Sequence, residues 1–184
     1  MASRRTPAVR AAEAAGIRFR LLEYDYDPEA EAVGLQAATA MGIEPARVFK
    51  TLVCVLDDGE MVSAAIPSDA RLSLKALAAA AGAKRAEMAD PARAERTTGY
   101  VVGGISPFGQ RKRLRCFVDA SAQGHAEIVV NGGRRGLQIA LAPDDLATAM
   151  EAVVCPLLAE QAGRVEHATK AEQAGRVEQA GKAE

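Results

Sequence analysis

The run Val48-Phe49-Lys50-Thr51-Leu52-Val53-Cys54-Val55-Leu56 leaves the chain little freedom in how it folds. It is apolar and β-branched almost throughout, it stops at Asp57-Asp58-Gly59, where glycine takes a positive φ cheaply, and Met61 to Ile66 resumes the same character. This pattern predicts a hairpin at the centre of a sheet, with successive side chains facing opposite sides. Lys50 is then a cation set in an apolar strand. Two readings fit it. The side chain runs along the surface to water, or its ammonium supplies N–H donors to phosphate, ribose or carbonyl oxygens.

The flanking segments alternate between helical and strand patterns. Thr6-Pro7 opens a first helix that Gly16 ends, and Ile17, Phe19 and Leu21 alternate toward Tyr24 as a strand. An acidic loop follows from Asp25 to Glu31, and a short helix through Leu35, Ala38 and Met41 stops at Gly42. Beyond the hairpin, Ser73 and Gly82 bracket an alanine-rich helix, and Asp90-Pro91 and Gly99 bracket another. Leu114 to Val118, Glu127 to Asn131 and Leu137 to Leu141 read as strands, and Pro143-Asp144-Asp145 starts a last helix. Strands joined largely through hairpins, with helices between them, predict an α+β fold around a mixed, mostly antiparallel, barrel-like sheet. Residues 1–158 form one domain in this reading. Residues 159–184 are a tail, because Ala159 to Lys170 recurs as Ala171 to Lys182 with two substitutions and too few large apolar residues for a core. A frayed helix or disorder is expected there.

Charge and cysteine content remove several classes of function. A net charge of -1 argues against general binding of polyanions, so any nucleic-acid contact must be local. With 4% aromatic residues and no Trp, a platform of stacked bases is not expected. Cys54, Cys116 and Cys155 are an odd, widely spaced set suited to reduced thiols, and no apolar stretch has signal-peptide or bilayer-spanning length. A cytoplasmic protein without a membrane partner is expected. Nothing in the sequence matches a Walker loop, a Cys-x-x-Cys pair, a His-Glu-x-x-His motif or a Gly-x-Ser-x-Gly elbow, so neither a metal nor another cofactor is expected. His167 lies in the repeated tail and His125 stands alone after Gly124, which leaves imidazole catalysis little support.

The loop Gly103-Gly104-Ile105-Ser106-Pro107 has small residues that admit a ligand close to the backbone, where N–H groups can stabilise an oxyanion; a tight strand connection explains it equally well. Ser106 either donates a hydrogen bond or caps the turn. Arg111-Lys112-Arg113 is a solvated face or a landing strip for RNA phosphates, and Asp119 orients a polar group or starts a turn.

Phe49-Lys50-Thr51-Leu52, Glu87-Met88-Ala89-Asp90-Pro91, Thr98 to Pro107 and Asn131-Gly132-Gly133-Arg134-Arg135-Gly136-Leu137 occur in an order and spacing that resemble the YbaK/EbsC family, bacterial relatives of the editing domain inserted in prolyl-tRNA synthetases. The resemblance runs from about Thr6 to Leu158. It implies a compact mixed α/β barrel that deacylates mischarged tRNA, notably tRNA for proline carrying cysteine or alanine. Synthetases for proline need such a second sieve because cysteine and alanine fit a proline-sized pocket. By the same resemblance the key lysine is Lys50, the glycine loop with catalytic Gly103 and Gly104 runs on through Ile105 and Ser106 to Pro107, and Tyr24, Thr51 and Asp119 belong to the substrate pocket. The 3′ end of mischarged tRNA is the implied partner, to whose phosphates the charge pattern of Arg111, Lys112 and Arg113 is suited, and prolyl-tRNA synthetase is a further one. The cysteine-specific branch implies attack by the substrate's own thiol, whereas alanine needs an activated water. That branch carries an aromatic residue before the glycine that is Gly34 here; this chain has Val33. A tRNA-end or nucleotide-binding module without turnover is the alternative reading of the same residues.

Overall fold

The computed structural model describes residues 5–29 and 32–160. The central hairpin forms as the sequence predicts. Strands β2 (Val48–Leu56) and β3 (Met61–Pro67) pair antiparallel from Phe49↔Pro67 to Val55↔Met61, and Gly59 takes φ 88° in the turn. Around it stand β1 (Phe19–Glu23), β4 (Ala86–Met88), β5 (Arg115–Asp119), β6 (Ile128–Arg134), β7 (Leu137–Leu141) and β8 (Val153–Cys155). The sheet order is β1-β7-β6-β2-β3-β5-β8, with β4 on the edge of β2.

Four strand contacts are antiparallel (β1 with β7, β6 with β7, β2 with β3 and β4) and three are parallel (β2 with β6, β3 with β5, β5 with β8). The mixed, mostly antiparallel sheet is as expected, but it is open. Its order ends at β1 and β8, which pair with no further strand among the described residues, so the expected barrel does not close. Hairpins leave local turn signals, whereas the parallel contacts depend on crossovers that no local pattern announces. Strands β4 and β8 have three residues each, too few for an alternation to register, and were missed in the sequence for that reason.

The helices are α1 (Pro7–Ala14), α2 (Val33–Met41), α3 (Leu74–Ala81), α4 (Pro91–Thr98) and α5 (Pro143–Met150). Thr6, Ser73 and Asp90 accept the first-turn amides of Val9, Ala76 and Arg93, and Gly42, Gly82 and Gly99 end α2, α3 and α4 in left-handed geometry. Alternation in β2 divides the core. Phe49 and Val53 pack with Val9, Ala94 and Leu146 on one face, and Cys54 and Leu56 pack with Ile66, Leu77 and Phe117 on the other. The tail expected at 159–184 lies outside the described residues beyond Glu160; Ala159 is still tied to the domain by its N–H to the Arg71 carbonyl (2.8 Å). Among the described residues no helix is long and apolar enough to cross a membrane.

Candidate active site

A gap in strand pairing creates the site. On one edge of β2, β6 pairs only with Val48 and Phe49, and β4 pairs only with Cys54 to Leu56. No strand covers the stretch between them. The Val53 carbonyl on that edge accepts the Ala89 N–H at 2.9 Å. Main-chain groups of alternate residues face the same edge, so the N–H and C=O of Thr51 open into the gap. A cavity of about 350 Å³ occupies it, walled by the start of α2, by Ser68, by Met88, Ala89, Pro91 and Ala94, by Val102, Gly103 and Ile105, and by Asn131 and Gln138.

Lys50 and Thr51 leave β2 on opposite faces, and both reach the cavity because the sheet is interrupted there. The half-buried Lys50 ammonium donates to the carbonyls of Ser68 (3.1 Å) and Ala70 (2.8 Å), which leaves one N–H for a ligand. Burial pulls its pKa below the usual lysine value; Asp69 opposes that shift and Arg71 adds to it. Ser68 is itself held by its N–H and hydroxyl on the Val48 carbonyl (2.7 Å each). Helix α2 comes close to Ser68 because Gly34 lacks a side chain: a Cβ there would lie 2.6 Å from Ser68 Oγ.

Four protein groups fasten the glycine loop. The Gly104 N–H donates to the Val101 carbonyl (2.8 Å), and Glu95 accepts the Val102 N–H (2.8 Å). Arg135, stacked 5.1 Å from the Tyr26 ring centroid, donates twice to the Val102 carbonyl (3.0 and 2.8 Å). Asn131 donates to the Gly103 carbonyl (3.0 Å) and accepts the Gly133 N–H (2.8 Å). Gly103, at φ 84°, is left with an N–H that has no partner among the described residues. The two glycines named from the sequence thus differ. The Gly104 amide is spent inside the turn, and the absence of a side chain lets the loop lie against β6, where a Cβ would meet the Arg134 Cα at 3.2 Å.

Of the other residues named from the sequence, Val33, Thr51 and Ile105 line the cavity with Lys50 and Gly103. The Thr51 hydroxyl is buried without a protein partner, and Val33 packs on Gly103, where an added Cβ would lie 3.2 Å from Val33 Cγ2. Ser106 and Pro107 are buried outside the cavity; Ser106 Oγ accepts the Phe108 N–H (3.2 Å) and shapes the loop. Tyr24 stands beside Gln138, behind the wall, and burial raises its hydroxyl pKa. Arg111, Lys112 and Arg113 are exposed. The amides of Arg111 and Lys112 bond to Thr98 and Thr97 at the end of α4, whose first turn lines the cavity, a span of about 10 Å along the helix. Arg113 pairs with Glu151 (3.3 Å).

Asp119 is placed apart from the cavity. Its carboxylate is buried and accepts the N–H groups of Ser121 (3.0 Å) and Leu157 (2.7 Å), fastening the segment after β8 to β5. Asp119→Ala therefore leaves the buried Leu157 amide and the part-buried Ser121 amide without their acceptor, and an expected loss of about 1–3 kcal/mol is measurable by denaturant unfolding. Asn131 and Gln138 are cavity residues that sequence reasoning missed. They face each other across β6 and β7 and are 7% and 4% exposed. Their signal was one polar residue set in each of two apolar runs, Val129-Val130-Asn131 and Leu137-Gln138-Ile139. Among the described residues no three His, Cys, Asp or Glu side chains gather where they could hold a metal ion.

Residues 27–149 match the family of the aminoacyl-tRNA editing domain. The chain is 39% identical over 143 residues to EbsC of Enterococcus faecalis, a candidate Cys-tRNA(Pro)/Cys-tRNA(Cys) deacylase, covering 76% of this chain and 85% of that protein. It is 34% identical over 107 residues to the multifunctional Ser/Thr-tRNA deacylase ProXp-y of Escherichia coli, covering 56% of this chain and 62% of that protein. Its fold is similar to the crystal structure of a candidate trans-editing enzyme for prolyl-tRNA synthetase, with a TM-score of 0.69 at 23% identity, over 85% of this chain and 99% of that one.

Proposed function

The chain belongs to the aminoacyl-tRNA editing domain family, and from that premise we propose that it acts in trans to remove a wrongly attached amino acid, cysteine first, from tRNA for proline. The observation that carries this reading is the gap in the β2 edge, where Lys50 and Gly103, whose N–H has no partner among the described residues, line one cavity. A ligand ester bound there has a cation for its ribose or phosphate oxygens and a backbone donor for its carbonyl oxygen. No imidazole or carboxylate lines the cavity among the described residues, so the chain offers no general base there.

Cysteine supplies its own nucleophile. Its sulfur bonds to the ester carbonyl carbon, the tetrahedral oxyanion rests on the Gly103 N–H, and the bond to the ribose oxygen breaks. The thiol proton ends on the released tRNA hydroxyl, and the cyclic thioester opens in water. The chain's part is to hold the ester and stabilise charge, which needs no cofactor. Arg111, Lys112 and Arg113 take phosphates of the acceptor end at the far end of α4, and prolyl-tRNA synthetase supplies the mischarged tRNA.

The Ser/Thr-tRNA deacylase among the relatives favours a second reading, a small amino acid without a thiol cleaved by water. Val33, which packs on Gly103, sets the size of that compartment. The test is the deacylation rate on tRNA for proline charged with cysteine, alanine or serine. Rapid loss of cysteine alone is the expected result. Equal loss of all three assigns the reaction to water, and no turnover on any of them leaves a binding module.

A further inference from the structure

We propose that the cavity takes an aminoacyl ester whose α-nitrogen carries no charge, so that N-acylated aminoacyl esters are substrates as well as free-amine ones. The inference rests on the deacylase reading for its chemistry and on the cavity alone for its electrostatics.

An aminoacyl ester brings an α-amino group that is protonated at low pH, with a reference pKa of ~7.7–8.0 for such amines. Sites that select an ammonium provide a carboxylate or a set of free carbonyls. This cavity is lined by no carboxylate among the described residues. Among the described residues its only ionisable lining group is Lys50, a cation, and its polar side chains are the neutral Thr51, Ser68, Asn131 and Gln138. Five of the lining carbonyls already serve protein donors. Val48 accepts from Ser68, Ser68 accepts from Lys50, Val53 accepts from Ala89, Val102 accepts from Arg135 and Gly103 accepts from Asn131. The Thr51 carbonyl in the gap stays open, and as a neutral acceptor it serves an amine N–H and an amide N–H equally.

The nearby charges do not reverse this balance. Asp69 and Arg71 flank Lys50 outside the lining and act on it in opposite directions. Asp90, between the lining residues Ala89 and Pro91, is exposed outside the lining and accepts the Arg93 N–H at 3.0 Å. Glu95 and Arg135 stand behind Val102, each bonded to its backbone. A protonated α-amine entering the cavity meets the Lys50 ammonium across a mostly apolar space, where like charges repel more strongly than in water. The bound form is then the free amine. Acylation of that nitrogen removes the penalty.

Two uncleavable probes test this, 3′-alanylamino-3′-deoxyadenosine and its Nα-acetyl derivative, each titrated calorimetrically into the full chain from about pH 6 to about pH 9, across the α-amino range. The free-amine probe should weaken about tenfold for each pH unit below its amine pKa, as its neutral fraction falls. The acetyl probe should bind with an affinity that changes far less and should be the tighter of the two at the acid end. Any titration of Lys50 affects both probes, so the difference between them is the readout. The inference is overturned by a pH-independent free-amine affinity, by rejection of the acetyl probe, or by binding of neither. Turnover of N-acetylcysteinyl-tRNA for proline beside the unacetylated ester separates the two claims. Cleavage of both supports both, and cleavage of the free-amine ester alone overturns the inference. Cleavage of neither, with the predicted binding pattern, removes the deacylase reading and leaves the charge preference standing.

Discussion

Replacing Lys50 with alanine removes deacylation to background while the unfolding midpoint moves little. The ammonium is the one charged donor lining the cavity among the described residues, and two of its N–H groups are already anchored on Ser68 and Ala70. It therefore meets a ligand preoriented. Loss of one such donor costs on the order of 10²–10³ in rate. Ser68 lines the open cavity and Ala70 is part-exposed, so water can take up the carbonyls it leaves behind and the fold should tolerate the change. Lys50→Arg is the sharper control. It keeps the charge but replaces a compact ammonium with a planar fork that does not fit the two carbonyls in the same way, and only partial activity is expected. The wild-type profile carries a matching sign. Burial lowers the Lys50 pKa, so the protonated, active form is lost as pH rises at a lower pH than an exposed lysine would set. A steady-state rate series with Cys-tRNA for proline measures all three. Full activity in a folded Lys50→Ala preparation rejects the site.

Gly103→Val should slow turnover by on the order of 10²-fold, the effect of one lost oxyanion donor. A Cβ at Gly103 lies 3.2 Å from Val33 Cγ2 and 3.3 Å from Arg135 Nε, tight contacts at a backbone φ of 84° that side chains disfavour. Relief of that crowding and strain is expected to displace the loop and its Gly103 N–H. Backbone strain alone would be a trivial explanation, and Gly59 provides the control. It has φ 88° in the β2–β3 turn with nothing within 4 Å of an added Cβ, so Gly59→Val carries the left-handed penalty without the collision or the site. Comparable rate losses in both variants, measured beside their unfolding curves, assign the effect to strain and free Gly103 of any catalytic part.

Much of the fold was legible because it is written locally. The central hairpin, the capped starts of α1, α3 and α4 and the glycine stops of α2, α3 and α4 depend on residues within a few positions of one another, and these elements appear where the pattern puts them. Lys50 drew attention for the same reason: a cation in an apolar strand is an anomaly visible in nine residues. The resemblance carried by the separate motifs supplied the family, which local patterns could not.

What the sequence by itself determined, then, is the set of elements, the family and the identity of the lysine. Tertiary structure decided which groups meet. Strands β4 and β6, some forty residues apart, share one edge of β2 and leave part of it uncovered, and that long-range pairing makes the cavity. It also separates residues that looked equivalent in the sequence. Gly103 keeps a free N–H while Gly104 spends its own on Val101, Asp119 turns to the amides of Ser121 and Leu157, and Asn131 and Gln138 come to face each other at the wall. The physical reason is that a turn or a cap is settled by neighbours along the chain, whereas the partner of each buried polar group is settled by whichever segment the fold brings within hydrogen-bond reach.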